Sequence, residues 1–262
     1  MSGDDRRAEV AAAAARAGGA AAFEDFRTEL AVETKANKND LVTAADHSAQ
    51  AAVRDRIHEA FPSEPVVAEE GDAPAALPET GPAWVVDPID GTANFVRGMR
   101  VWTTSVAAVI DGAPVGAASA LPALDDVYTA TSAGASRSGE PMAVSTRGDP
   151  ETFAVAVLGW GPTRDREAYV ALSRAVIERF GDLRRVGSMQ AALAFVASGE
   201  LDAAVTTERP APWDAVAGAH LVERAGGTVT DGQGEPWHHD AGLLVASNGQ
   251  AHEALLDVAP TG

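Results

Sequence analysis

Trp84-Val85-Val86-Asp87-Pro88-Ile89-Asp90-Gly91-Thr92-Ala93-Asn94-Phe95 is the most informative stretch of this chain. A short apolar run, Trp84–Val86, reads as a strand end, and two aspartates follow three residues apart. Pro88 between them lacks an N–H and has a fixed φ, which stiffens the connection. Two carboxylates held on a stiff turn can face one hard cation, because Mg2+ takes oxygen ligands. Gly91-Thr92 reads as a helix start whose exposed N–H groups would receive a phosphate. Taken alone, the D-x-x-D-G spacing also fits a plain turn after a strand.

Other acids lie outward from this segment. Glu69 and Glu70 follow the strand-like Pro65-Val66-Val67-Ala68, where a solvated charged pair is the plainer reading. Asp214 opens a helix after Pro212-Trp213, where the helix dipole alone would favour an acid. Asp46 lies three residues after Thr43, the spacing of a capping box. Each acid has a local explanation; the ordered set has none.

The bulk composition bounds the class. At 262 residues and 46% hydrophobic content, the chain can build two coupled lobes. It has no apolar run of about 18 residues, and its start, Met1-Ser2-Gly3-Asp4-Asp5-Arg6-Arg7, lacks signal-peptide features, so a cytoplasmic setting is expected. With no cysteine, disulfides, thiolate metal sites and cysteine nucleophiles are excluded. A net charge of −18 repels nucleic acid and anionic membranes, so neither is expected as a partner. It also repels an anionic substrate unless metal ions invert the local field. Lys35 and Lys38 are the only lysines. Two readings of this balance stay open, a high-salt cytoplasm and a genome rich in Ala, Arg, Gly and Asp codons.

The periodicity predicts helices over residues 8–30, with a break near Gly18-Gly19, and over Ala44–Ala60. Strands are expected at Pro65–Ala68, Trp84–Val86, Ser105–Ile110, Val115–Ala120 and Val127–Thr131, an α+β pattern. Beyond the polar stretch Ser145–Pro150 the elements alternate as in an α/β lobe. A strand at Phe153–Leu158 precedes a helix over Arg166–Phe180, with Tyr169, Leu172, Val176, Ile177 and Phe180 on its buried face. A helix at Ser188–Ser198, a strand at Leu201–Val205 and a helix at Trp213–Ala225 closed by Gly226-Gly227 follow, then strands at Thr228–Thr230 and Gly242–Ala246. The expected division is an N-terminal α+β lobe, residues 1–148, and a C-terminal α/β lobe, residues 149–262. His238-His239 and His220 lack the i, i+4 spacing of a helical zinc site and read as ordinary surface or core residues.

Trp84–Phe95 resembles the inositol monophosphatase signature W-x-x-D-P-I-D-G-T-x-N-F. Trp213-Asp214-Ala215-Val216-Ala217-Gly218, through Glu223-Arg224-Ala225-Gly226-Gly227, resembles the second signature of that superfamily. Asp40–Asp46 is similar to its D-L-V-T-x-x-D, and Gly187-Ser188 through Asp202 to its G-S-x-A-L…V-A-x-G-x-x-D. The resemblance covers nearly the whole chain. It implies a sugar-phosphatase fold, a layered α-β-α-β-α sandwich, and lithium-sensitive, Mg2+-dependent hydrolysis of a small phosphate monoester by a homodimer.

The resemblance also implies roles. Glu69, Asp87 and the carbonyl of Ile89 would hold one Mg2+, and Asp87, Asp90 and Asp214 a second; a third would share Glu69. Asp46 and Thr92 would orient and deprotonate the attacking water, while Gly91 and Thr92 N–H groups grip the phosphate. Lys35 would belong to a mobile loop near the third metal. Ser188, Glu208 and Arg209 are the expected leaving-group pocket, with Arg209 either facing a second phosphate or lying as a solvated charge on a loop. The inositol-specific relatives carry a glutamate seven residues before the signature aspartate; here that position is Thr207. Inositol-1-phosphate is the first expected substrate and fructose-1,6-bisphosphate the second. Histidinol phosphate and phosphoadenosine phosphate follow, and a non-catalytic metal-binding protein is the reading from another class.

Overall fold

Three apolar clusters sort the chain into five layers, seen in a computed structural model that describes residues 3–28, 32–34, 41–70, 76–159 and 165–260. The first layer is the helix pair α1 (Gly3–Asp25) and α2 (Ala44–Ala60), preceded at α2 by the hairpin β1 (Val32–Thr34) and β2 (Leu41–Thr43). The second is a seven-stranded sheet of β3 (Val66–Ala68), β4 (Pro82–Asp90), β5 (Thr103–Ile110), β6 (Ala113–Leu121), β7 (Asp126–Thr131), β8 (Gly134–Arg137) and β9 (Glu140–Pro141). Its strands are neighbours in chain order, antiparallel except for the parallel pair β3–β4. A short helix, α3 (Thr92–Val96), follows β4.

The remaining layers come from the second half. Helices α5 (Met189–Ala197) and α6 (Pro212–Arg224) lie between the first sheet and a five-stranded one. That sheet has the order β11-β10-β12-β14-β13, built from β10 (Ala154–Leu158), β11 (Asp182–Arg184), β12 (Ala203–Thr206), β13 (Thr228–Thr230) and β14 (Val245–Ser247). Helices α4 (Arg166–Arg179) and α7 (His252–Leu256) cover its outer face. The α-β-α-β-α order expected from the resemblance is the observed one.

The strand pattern explains the layering. Along β4, Trp84 and Val86 pack with α1 and α2, whereas Ala83 and Val85 pack with α5 and α6. Both faces of the sheet are covered, so the strand reads as apolar throughout instead of alternating.

Two expectations need correction. Helix α1 is not broken at Gly18-Gly19; it runs through them, and both are buried. A Cβ on Gly18 would stand 2.5 Å from Val53 Cγ2 and 2.9 Å from Thr104 Cγ2, and one on Gly19 2.7 Å from Pro122 Cγ. The glycines therefore serve close approach of α1 to α2 and the sheet, not a turn. On α4, Tyr169, Leu172, Val176 and Phe180 are buried as expected, but Ile177 is 68% exposed. It sits about 100° round the helix from Val176, past the edge of the apolar stripe.

Candidate active site

Asp87 and Asp90 share one side of β4 because the strand is irregular between them. In a regular strand, residues three apart point to opposite faces. Here Asp87 pairs with Ser105 and Asp90 with Thr103, so three steps on β4 answer two on β5. The extra residue of this β-bulge returns Asp90 to the face of Asp87, the side toward α5 and α6. A bulge is also where a strand tolerates proline, and Thr104 Oγ1 donates to the Pro88 carbonyl at 2.7 Å. The turn expected after Val86 is thus replaced by a continuous strand to Asp90.

The start of α5 fixes Asp90 and ties it to Asp214. Ser188 caps α5, and its hydroxyl donates to Asp90 Oδ2 at 2.5 Å. The Gln190 N–H donates to the same oxygen at 2.6 Å. The fully buried Gln190 side chain donates to the Trp213 carbonyl at 2.5 Å and accepts from the Gly218 N–H at 2.7 Å. It therefore clamps the first turns of α6, which carry Asp214. On the opposite side, Gln50 of α2 holds Glu70 from both ends: Nε2 donates to the Glu70 carbonyl at 2.9 Å, and Oε1 accepts the Glu70 N–H at 3.2 Å. That pins the segment bearing Glu69. Glu70 is buried, not solvated as a surface pair would be. Asp46 lies one turn before Gln50 on α2 and is fully buried.

The electrostatics are those of an acid cluster out of water. One carboxylate oxygen from each of Asp87, Asp90 and Asp214 lies within 4.8 Å of the others. Burial pushes the Asp87 carboxyl well above the usual range, and the negative charges of Glu69, Asp90, Asp214 and Asp46 push it further. Burial also raises Asp90, against the lowering effect of the Ser188 hydroxyl and the N–H groups of Gln190, Met189 and Ala191. Asp87 Oδ1 is buried with no hydrogen-bond partner among the described residues. Buried carboxylates without counter-charge are costly. An all-oxygen set with an orphaned carboxylate oxygen fits a hard divalent cation such as Mg2+.

Gly91, at φ 91°, precedes α3, and a Cβ there would meet Ser188 Cβ at 3.0 Å and the Gly187 carbonyl at 3.1 Å. Thr92 Oγ1 donates to the Ile89 carbonyl at 3.0 Å, which leaves that oxygen one further lone pair. Glu208 is half-buried and Arg209 exposed, between β12 and α6. The Arg209 charge acts on His239. Thr207 is buried beside Gly159. Lys35 lies outside the described residues. Sequence reasoning missed Gln50, Gln190 and Asn94, whose Nδ2 donates to the Val101 and Val186 carbonyls at 2.7 and 3.0 Å. For Gln190 a signal existed: it is the one polar side chain in the otherwise apolar Met189–Ala197.

A family model described as the inositol monophosphatase family matches residues 4–261. The inositol-1-monophosphatase of Bacillus subtilis is 32% identical over 251 residues, 95% of this chain and 94% of that protein. A Thermotoga maritima protein named fructose-1,6-bisphosphatase/inositol-1-monophosphatase is 35% identical over 233 residues, 87% of this chain and 85% of that one. Among solved structures, an IMPase/NADP phosphatase complexed with Mg2+ and phosphate aligns with a TM-score of 0.80 at 25% identity, over 92% of this chain and 90% of that one.

Proposed function

The chain belongs to the inositol monophosphatase family of Mg2+-dependent phosphatases, and on that premise we propose that it hydrolyses inositol-1-phosphate to inositol and phosphate. Its class is phosphoric monoester hydrolase. The observation that carries the reading is the convergence of the buried Asp87 and Asp90 with the half-buried Asp214.

Glu69, Asp87, the Ile89 carbonyl, Asp90 and Asp214 would hold two Mg2+ ions with Asp87 shared, and a third would share Glu69 with the loop of Lys35. Bound there, the ions supply charge to the phosphate oxygens and acidity to a water. Asp46 takes the proton of the attacking water, and solvent protonates the leaving oxygen as its bond to phosphorus breaks. Thr92 donates its own proton to Ile89, so its oxygen lone pairs face that water and orient it. The Gly91 and Thr92 N–H groups bind the phosphate. Glu208 and Arg209 receive the departing alcohol, and Ser188 contributes by holding Asp90. With no cysteine in the chain, direct attack by water is the simplest route.

We assign this activity to a cytoplasmic homodimer acting on a small phosphorylated metabolite, without nucleic acid or membrane as partner; the −18 charge supports the last point. Among the described residues no helix is long and apolar enough to cross a membrane. Fructose-1,6-bisphosphate is the second substrate reading, favoured by the dual name of the Thermotoga maritima relative. The deciding experiment is phosphate release, with Mg2+, from inositol-1-phosphate, fructose-1,6-bisphosphate, histidinol phosphate and phosphoadenosine phosphate. A clear advantage in kcat/KM for inositol-1-phosphate supports the first reading. Preference for the bisphosphate replaces it with the second. No release from any of them sinks both and returns the non-catalytic alternative.

A further inference from the structure

The loop between β13 and β14 carries His238, His239 and Asp240. By spacing His238 and His239 read as ordinary residues; folded, they form a group with Asp240. The two imidazole rings stack with centroids 4.2 Å apart at 40°. His238 Nδ1 and Asp240 Oδ1 are 2.6 Å apart. One ligating atom from each of the three residues lies within 4.8 Å of the others.

A second loop seats this group. Gly112 sits at the tip of the β5–β6 hairpin with φ +78°, buried under the rings. A Cβ there would stand 3.2 Å from His238 Nε2 and 3.4 Å from His239 Nε2. Two nitrogens from adjacent residues thus converge on one backbone position in the other sheet. A side chain there would crowd both rings by a few tenths of an ångström and would be strained at φ +78°.

The protonation pattern suits a ligand. His238 Nδ1 and Asp240 Oδ1 share one proton's position in the ion-free chain, and a cation replacing that proton would take both atoms as ligands. The charge of Arg209 also acts on His239. Arg209 opposes any incoming cation, so the imidazole lone pairs must supply the affinity. Two nitrogens and one carboxylate suit Zn2+ and its neighbours, not Mg2+, which selects oxygen sets. Zn–N bonds of about 2.0–2.1 Å place tetrahedral ligands about 3.3 Å apart, within small side-chain rotations of the observed cluster.

We propose that His238, His239 and Asp240 form a second cation site, for a borderline divalent ion such as Zn2+, distinct from the all-oxygen acid cluster. An ion there ties the β13–β14 loop of one sheet to the β5–β6 hairpin beside it.

The test is Zn2+ titration of the full-length, untagged protein by calorimetry in excess Mg2+, which keeps the carboxylate cluster filled. One Zn2+ per chain is expected, with a Tm rise. The His238→Ala/His239→Ala double variant should lose both, while Asp90→Asn keeps both. Melts in EDTA establish that the double variant is folded. Asp240→Asn, which preserves shape, provides the independent check and should weaken Zn2+ about tenfold or more. The proposal is overturned if no Zn2+ binds over Mg2+, if the double variant binds as the parent does, if Asp90→Asn abolishes binding, or if Asp240→Asn leaves it unchanged.

Discussion

Asp90 has two competing demands on it. It is buried among acids, and its oxygen Oδ2 accepts from both the Ser188 hydroxyl and the Gln190 N–H. Asp90→Asn keeps most of this shape and removes one negative charge. It should lower kcat by at least about two orders of magnitude, the scale of losing a preorganised electrostatic group, while the metal-free Tm stays level or rises. Near-parental turnover in steady-state assays would remove Asp90 from the metal site. The raised carboxyls also set a pH dependence. Asp87 and Asp90 titrate higher in the folded chain than in the unfolded one. The folded state therefore binds more protons in that window, and the metal-free protein loses stability as pH rises from the ordinary carboxylate range through the raised values. Mg2+ binds the ionised form, so the Tm gain on adding Mg2+ should grow between about pH 5 and pH 8. Melts with Mg2+ and with EDTA across that range check it; a gain independent of pH would contradict the assignment.

At the scale of elements, the site depends on three fits between neighbours: the bulge in β4, the α5–α6 clamp and the α1–α2 approach. Gln190 belongs to the second. Gln190→Ala removes the bonds to Trp213 and Gly218 but leaves the backbone N–H on Asp90. The variant should lose about 10–100-fold in Mg2+ affinity, as for other groups that orient ligands, and recover part of its activity at high Mg2+. A variant with parental Mg2+ dependence would make Gln190 a packing residue only. Gly18 belongs to the third. Gly18→Ala forces a methyl against Val53 and Thr104 and should cost about 1–3 kcal/mol in denaturant unfolding. A stabilised variant would mean the helix pair moves apart freely.

Across the whole molecule, charge is the dominant feature. With −18 on 262 residues, self-repulsion opposes the compact state. Raising KCl from about 10 mM to about 1 M shortens the Debye length from about 30 Å to about 3 Å, so Tm should rise. A falling Tm would mean that surface ion pairs such as Arg174–Glu178 and Arg137–Asp126 outweigh the repulsion. The activity optimum separates the two origins of the acidity, since only a chain adapted to a high-salt cytoplasm should turn over best near molar KCl.

Several features were legible without coordinates. Helical periodicity located α2 and α4, the Gly226-Gly227 stop closed α6, and apolar runs punctuated by Gly and Pro located β5–β7, because these are local signals. The acids at 46, 69, 87, 90 and 214 could be picked out because their order matches extended motifs. What the sequence alone did not determine is which face each group takes and what supports it. The β4 bulge exists only because β5 supplies a register against which an extra residue counts. Gln190 meets Asp90 across 100 positions of chain, and Gln50 meets Glu70 across 20. Gly18 and Gly19 look like helix breakers until the crowding at Val53, Thr104 and Pro122 is known. Ile177 was misjudged for the same reason, and the closeness of His238, His239 and Asp240 was not visible in their spacing. Burial and convergence are properties of packed neighbours, which one-dimensional spacing does not encode, and only the tertiary structure decided them.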